Sequence, residues 1–162
     1  MKILYIFLLI CLGQSVFGQY INTVGSWYPS VSSSTISDAG LDYTSGLKVQ
    51  SASSQTSISL SLEGGIFNIL FNNWQVEVNR FDSNWNSNLS LEVRRTSNGS
   101  GTIFGSISGG TIFQEVTPNS KSFFNGVGNY SGIGIQYQIS GLSVLIPADT
   151  YSTTVMFTLI DI

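Results

Sequence analysis

Gln55-Thr56-Ser57-Ile58-Ser59-Leu60-Ser61-Leu62 carries the pattern that decides the fold. Ile58, Leu60 and Leu62 occupy every second position, with Ser57, Ser59 and Ser61 between them. A strand sends successive side chains to opposite faces, so this stretch offers one apolar face to a core and one hydroxyl face to water. The same period recurs along the chain. Trp74, Val76 and Val78 alternate with Gln75, Glu77 and Asn79, and Leu89, Leu91 and Val93 alternate with Ser90, Glu92 and Arg94. Ile133, Ile135, Tyr137 and Ile139 alternate with Gly134, Gln136, Gln138 and Ser140. In the last segment Tyr151, Thr153, Val155, Phe157 and Leu159 share a face. No stretch sustains a helical period with caps, so the chain reads as all-β.

Turn residues punctuate these runs. Asn98-Gly99 separates the Leu89–Arg95 strand from an apolar run at Ile103–Ile107 and predicts a hairpin with positive φ at the turn. Gly64-Gly65, Gly109-Gly110 and Asn125-Gly126 mark further turns. Ile66–Phe71 lacks alternation and reads as a doubly buried strand or a short irregular piece. About seven short strands at this spacing predict a two-sheet antiparallel sandwich.

The start of the chain sets its destination. Lys2 is a short basic region, Ile3 to Leu12 an apolar one, and Val16 and Gly18 put small side chains at the −3 and −1 positions before Gln19. This is the pattern of a secretory signal peptide over residues 1–18, and it is too short to span a membrane. Ile10 precedes Cys11 where a lipoprotein signal wants a small residue, so lipidation is not expected. The expected organisation is therefore signal peptide 1–18, a flexible leader or N-terminal arm 19–34 ending in Ser32-Ser33-Ser34, and a single domain over 35–162. The expected destination is the periplasm, the cell surface or the outside.

Cleavage after residue 18 of 162 leaves 144 residues. A chain of that length buries roughly two-thirds of its unfolded surface and needs no staple. The only cysteine, Cys11, lies in the segment removed, and the chain has no histidine. Imidazole triads, cysteine nucleophiles and imidazole metal sites are excluded, and no cofactor is expected. Without Lys2, five basic residues stand against nine acidic ones. That balance and the absence of a basic cluster exclude a nucleic-acid binder. No second apolar run reaches the length of a membrane span. Charged residues are only 9% of the chain but hydrophobic ones 42%, a balance that favours a packed core over disorder.

Few groups are left for chemistry. Glu77 and Glu92 are the carboxylates that could form a glycosidase pair. Both lie on outward faces of predicted strands, near Arg80, Arg94 and Arg95, so a cross-strand ion pair on a solvated face is the plainer reading. Asp82, Asn84 and Asn86 have the spacing of calcium-loop ligands. Ser87 stands where that loop wants glycine and Val93 where it wants a bidentate glutamate, so the segment reads as a polar hairpin turn and no metal is expected. Trp85 lies in this Asn- and Ser-rich loop, and Trp27-Tyr28 lies in the leader. An exposed ring among amides can stack on a sugar, which makes Trp85, helped by Tyr130, the candidate glycan site; a cap over the core is the alternative for Trp85. Asn88-Leu89-Ser90, Asn98-Gly99-Ser100 and Asn129-Tyr130-Ser131 match the N-glycosylation triplet and matter only in a eukaryotic source.

The closing stretch, Leu145-Ile146-Pro147-Ala148-Asp149-Thr150-Tyr151-Ser152-Thr153-Thr154-Val155-Met156-Phe157-Thr158-Leu159, resembles the final strand of bacterial pilin-type domains. In spore coat protein U-like and chaperone–usher subunits that strand opens on a Pro-Ala-Gly-Thr-Tyr-x-x-Thr-Val pattern; here Asp149 replaces the glycine. The resemblance covers roughly 15 to 20 residues. It implies an incomplete immunoglobulin-like sandwich whose missing edge is supplied by a neighbour's N-terminal segment. The position of Ile162, three residues past the apparent last strand, and the unassigned arm at Gln19–Ser34 fit that implication. They also fit a complete sandwich with a loose leader. Family members often carry a disulfide, which this chain cannot form. The leading expectation is a secreted, non-catalytic structural or adhesive protein of a bacterial envelope, a fibre or pilus-like subunit that self-associates through an edge strand or the arm. A secreted carbohydrate-binding module is second and a glycoside hydrolase third.

Overall fold

The computed structural model describes residues 18–31, 47–63, 72–143 and 145–162, and every alternating stretch within them is a strand. In chain order the strands are β1 (Gln19–Val24), β2 (Val49–Gln50), β3 (Thr56–Leu62), β4 (Asn73–Asn84), β5 (Ser90–Arg95) and β6 (Ser100–Gly101). Then follow β7 (Ser106–Gly109), β8 (Gln114–Glu115), β9 (Lys121–Val127), β10 (Tyr130–Ser140) and β11 (Ser152–Asp161). No helix occurs among the described residues. All pairings are antiparallel and fall into two sheets. The first runs β1-β3-β10-β5-β8, with β2 and β6 also on β10; the second runs β11-β4-β9-β7.

The apolar rows read from sequence meet between the sheets. Ile58, Leu60 and Leu62 of β3, Leu91 and Val93 of β5, and Ile133, Ile135 and Tyr137 of β10 form one side of the core. Trp74, Val76 and Val78 of β4 with Phe123 and Phe124 of β9 form the other. Trp74 is 0% exposed. The rings of Phe124 and Tyr130 meet it edge-on, each at 6.0 Å, and its Nε1 donates to Gly128 O at 2.7 Å, so its one polar atom is satisfied.

Several local expectations need correction. Asn98-Gly99 does not close a hairpin. Gly99 has the expected positive φ (65°), but β5 pairs with β10 and β8 while β7 belongs to the other sheet, so the chain crosses between layers there. Alternation alone does not say which sheet the next strand joins. Ile103, in the supposed second strand of that hairpin, is a loop residue 92% exposed. Asn125-Gly126 is no turn either; it lies inside β9, where a Cβ on Gly126 would sit 2.6 Å from the Trp74 ring. The glycine makes room for the indole. Gly109-Gly110 does end β7, with positive φ at both residues. Gly64-Gly65, Ile66–Phe71, Ser32-Ser33-Ser34 and the signal segment before Gly18 lie outside the described residues.

Two polar features depart from simple alternation. Gln136 and Gln138, expected to face water, are buried because β10 is a central strand whose outer face is covered by its neighbours' long side chains. Gln136 accepts from Arg94 Nε (2.8 Å) and donates to Ser51 O (2.9 Å); Gln138 accepts from Gln50 Nε2 (2.6 Å) and donates to Glu92. Arg95 follows Leu91 and Val93 on the inward row and is 5% exposed. Its Nε and Nη2 donate to Gly109 O at 3.0 and 2.8 Å, and Nη1 donates to Asn98 Oδ1, so it ties β5 to the end of β7 across the layers. Burial lowers its proton affinity, opposed by the nearby Tyr130 phenol.

The arm expected as a loose leader is in part a strand. Gln19–Val24 pairs with Leu62–Ser57 along its whole length, with Ile21 packed against the core. Its backbone groups find partners on the edge of β3, which an arm free in water would not need to do. Gly25, with φ 125°, then bends the chain so that Trp27 turns inward.

Candidate functional site

β1 and β11 are the outermost strands of their sheets on one flank of the sandwich, and they contact each other without pairing. β4 holds β11 over ten residue pairs from Ser152↔Asn84 to Asp161↔Trp74, and among the described residues nothing pairs with its other edge. The inward residues of β11, Thr153, Val155, Phe157 and Leu159, are only half-buried. Beside Phe157 and Leu159, Val78 and Val76 of β4 are fully buried, whereas Arg80 and Asp82, beside Val155 and Thr153, are not. One flank of the core is therefore incompletely covered.

At the Ser152 end of this flank the sheets part around a cleft of about 360 Å³. Gly25–Pro29 forms one wall and Tyr151–Val155 with Phe157 the other, over a floor that includes Leu91, Tyr137 and Ile139. Its rings are Trp27, Tyr28, Trp85, Tyr137, Tyr151 and Phe157. Trp27 stacks on Tyr137 at 6.1 Å and 14°. Tyr28 is 88% exposed. Gln55 Nε2 donates to Ser26 O at 2.7 Å and holds the first wall against the β2–β3 loop. Burial raises the Tyr137 phenol above its ordinary value, with a bond to the Thr56 side chain acting the other way. No lysine, arginine or carboxylate lines the cleft among the described residues.

The second wall is set by the segment before β11. Tyr151 Oη donates to Pro147 O at 2.7 Å, closing the loop on itself. Asp149, where the family pattern has glycine, accepts from Thr150 N (2.7 Å) and from Asn84 Nδ2 (3.2 Å). Among the described residues no non-glycine has positive φ, so Asp149 keeps an ordinary backbone conformation and its carboxylate fastens the turn.

Of the two residues proposed to hold a glycan, Trp85 lines this cleft and Tyr130 does not. Trp85 is half-buried, its Nε1 donates to Leu89 O (3.0 Å), and the Arg80 guanidinium lies 5.0 Å over its ring. It packs at the margin of the core and also faces the cleft. Tyr130 is 7% exposed against Trp74, at the far end of β10, and has no ring face to offer. Burial raises its phenol, opposed by Arg95. Trp27 and Tyr28 were visible in sequence as adjacent aromatics in a serine-rich leader, but only Gly25 and the pairing of β1 bring them to Trp85.

The paired carboxylates are not brought together. Glu77 alternates with buried Val76 and Val78 and faces out of the second sheet, where it accepts from Ser120 Oγ at 2.6 Å. Glu92 alternates with buried Leu91 and Val93 and faces out of the first, 3.9 Å from Lys48 Nζ. They sit on opposite outer faces, separated by the whole sandwich. The arginines near them also go elsewhere: Arg80 pairs with Asp82 (3.0 Å), Arg94 lies 4.6 Å over Phe113, and Arg95 is inside. Asp82, Asn84 and Asn86 are spent on local bonds to Arg80, Thr150 and Asn88 N. No group of three or more metal-ligating side chains forms among the described residues, and no helix there is long and apolar enough to cross a membrane. No protein-family model, curated protein or solved structure matches the chain.

Proposed function

We propose that this is an exported, non-catalytic structural or adhesive protein of a bacterial envelope, built as an immunoglobulin-like sandwich that a neighbouring subunit completes with a strand. The observation that carries this reading is the edge of β11 that no described strand pairs, above its own half-buried apolar row. An edge strand presents unpaired backbone groups, and proteins ordinarily cover or disrupt such an edge. Ser152–Asp161 holds neither proline nor lysine, and an added strand would pair its backbone while covering Val155, Phe157 and Leu159.

The strand order supports the same reading. β1-β3-β10-β5 follows the A-B-E-D order of an immunoglobulin-like domain, and β4 with β11 takes the places of C and F, leaving the G position beside β11. Tyr151 bonds back to Pro147 at the start of β11, as the conserved tyrosine does at the start of an F strand. One departure is that β9, on the other side of β4, comes between β5 and β10 in sequence.

The donor we assign is the Gln19–Ser30 segment of a second copy: within β1 only Ile21 packs against the core, and donation would exchange the six residue pairs of β1 with β3 for pairing with a neighbour's β11. Deleting that segment would also strip β3 of its partner, so the cleaner test adds a strand. A copy of Gln19–Ser30 fused after Ile162 through a flexible linker should raise Tm and abolish concentration-dependent oligomers of the mature chain, read by light scattering. At roughly 2–4 °C per kcal/mol for a domain of this size, covering the flank should raise Tm by at least about 4 °C. A parent chain that is monomeric at every concentration, with Tm unmoved by the fusion, refutes the reading.

A further inference from the structure

We propose that the cleft between Gly25–Pro29 and Tyr151–Phe157 binds a neutral saccharide, with one pyranose ring laid against the rings of Tyr28 and Trp85. The size is right: about 360 Å³ lies at the small end of sites that enclose small molecules. The chemistry of the walls selects the class. Aromatic faces suit the C–H face of a sugar, and the hydroxyls of Thr23, Ser26, Ser152 and Thr154 can exchange hydrogen bonds with its equatorial groups. Among the described residues the lining carries no formal charge, which leaves phosphates, carboxylates and amines without a partner there. A purely apolar ligand would leave the hydroxyl rim unsatisfied.

The site is also preformed. Trp85 is fixed through its Nε1 bond to Leu89 O and by Arg80 over its ring, Trp27 by its stack on Tyr137, and Tyr151 by its bond to Pro147. Rings already held in place lose little freedom on binding. Tyr28 is the exception, standing free at the mouth where it can close over a bound ring. The cleft is that of the unexchanged chain, since donating Gln19–Ser30 would carry its first wall away; it is therefore read in dilute protein, and strand addition is read separately from oligomer size and Tm.

Tryptophan fluorescence titration of the mature chain with neutral tetrasaccharides of the gluco-, manno- and galacto-series tests it, with hexuronic-acid tetrasaccharides as the charged comparison. At least one neutral series should give a saturable change, with Kd raised about tenfold or more in Tyr28→Ala. Tyr28 is almost wholly exposed, so this variant keeps its fold, checked by circular dichroism. Trp85→Phe keeps a ring and should bind more weakly than the parent but better than Trp85→Ala. No saturable response to any neutral series, an unchanged Kd in Tyr28→Ala, or tighter binding of the acidic series would each overturn the assignment.

Discussion

β4 and β11 lie side by side over ten residue pairs and carry the same apolar alternation, yet they have different fates. Trp74, Val76 and Val78 are sealed, because β4 has β11 on one side and β9 on the other and faces the centre of the opposite sheet. Val155, Phe157 and Leu159 are half-wet, because among the described residues β11 has a pairing partner on one side only. Identical pattern and unequal burial teach that side-chain chemistry decides which face of a strand turns inward, while position in the sheet decides how completely that face is covered. The closed flank seals the core, while the open one leaves an apolar row partly in water.

The largest effect should come from the closed side. Trp74→Ala removes a fully buried indole and is expected to cost about 3–5 kcal/mol. Phe157→Ala, on the open row, should cost less than half of that, since its ring is already partly solvated and water can enter the space it leaves. Urea unfolding of both variants measures the contrast, and equal losses would mean the two flanks are equally closed. Gly126→Ala should come next: its Cβ would meet both the Ser106 carbonyl oxygen and the Trp74 ring, an overpacking worth about 1–3 kcal/mol. Combining it with Trp74→Phe should recover part of the loss, which a backbone effect alone would not allow.

Titration should give the smallest effect. Tyr130 near the closed end and Tyr137 under the cleft both have phenols raised by burial above the ordinary value of 10.0. A group that holds its proton more tightly when folded contributes stability that is complete below the unfolded value and declines above it. Stability should therefore hold to about pH 10 and fall beyond it. Tyr137→Phe should flatten that decline, at the cost of the bond to Thr56; an unaltered slope would mean Tyr137 titrates as in the unfolded chain.

The core was legible because it depends on a local rule. Ile58, Trp74, Leu91 and Ile133 could be placed inward from their neighbours alone, and all are buried. What depends on partners far along the chain was not legible. Gln136 and Gln138 look like surface residues until their strand is known to be central, and Arg95 looks like half of an exposed ion pair until Gly109 is seen to receive it. Trp85 was found, but Tyr130 was wrongly joined to it because the two lie toward opposite ends of the sandwich, a distance no spacing in sequence encodes. Trp27 and Tyr28 fall in a stretch with no period, so only the pairing of β1 with β3 shows where they point.

Backbone hydrogen exchange across Ser152–Asp161, followed residue by residue by NMR in dilute mature protein, tests the open flank most directly. A strand paired on one side only should show every second amide slow and the alternate amides fast, while both sets are slow in Trp74–Val78 of β4. Fusion of the extra Gln19–Ser30 segment should then slow the fast set in β11 alone. Uniform protection of β11 in the dilute, unfused chain would show that its edge is already covered and would contradict the account.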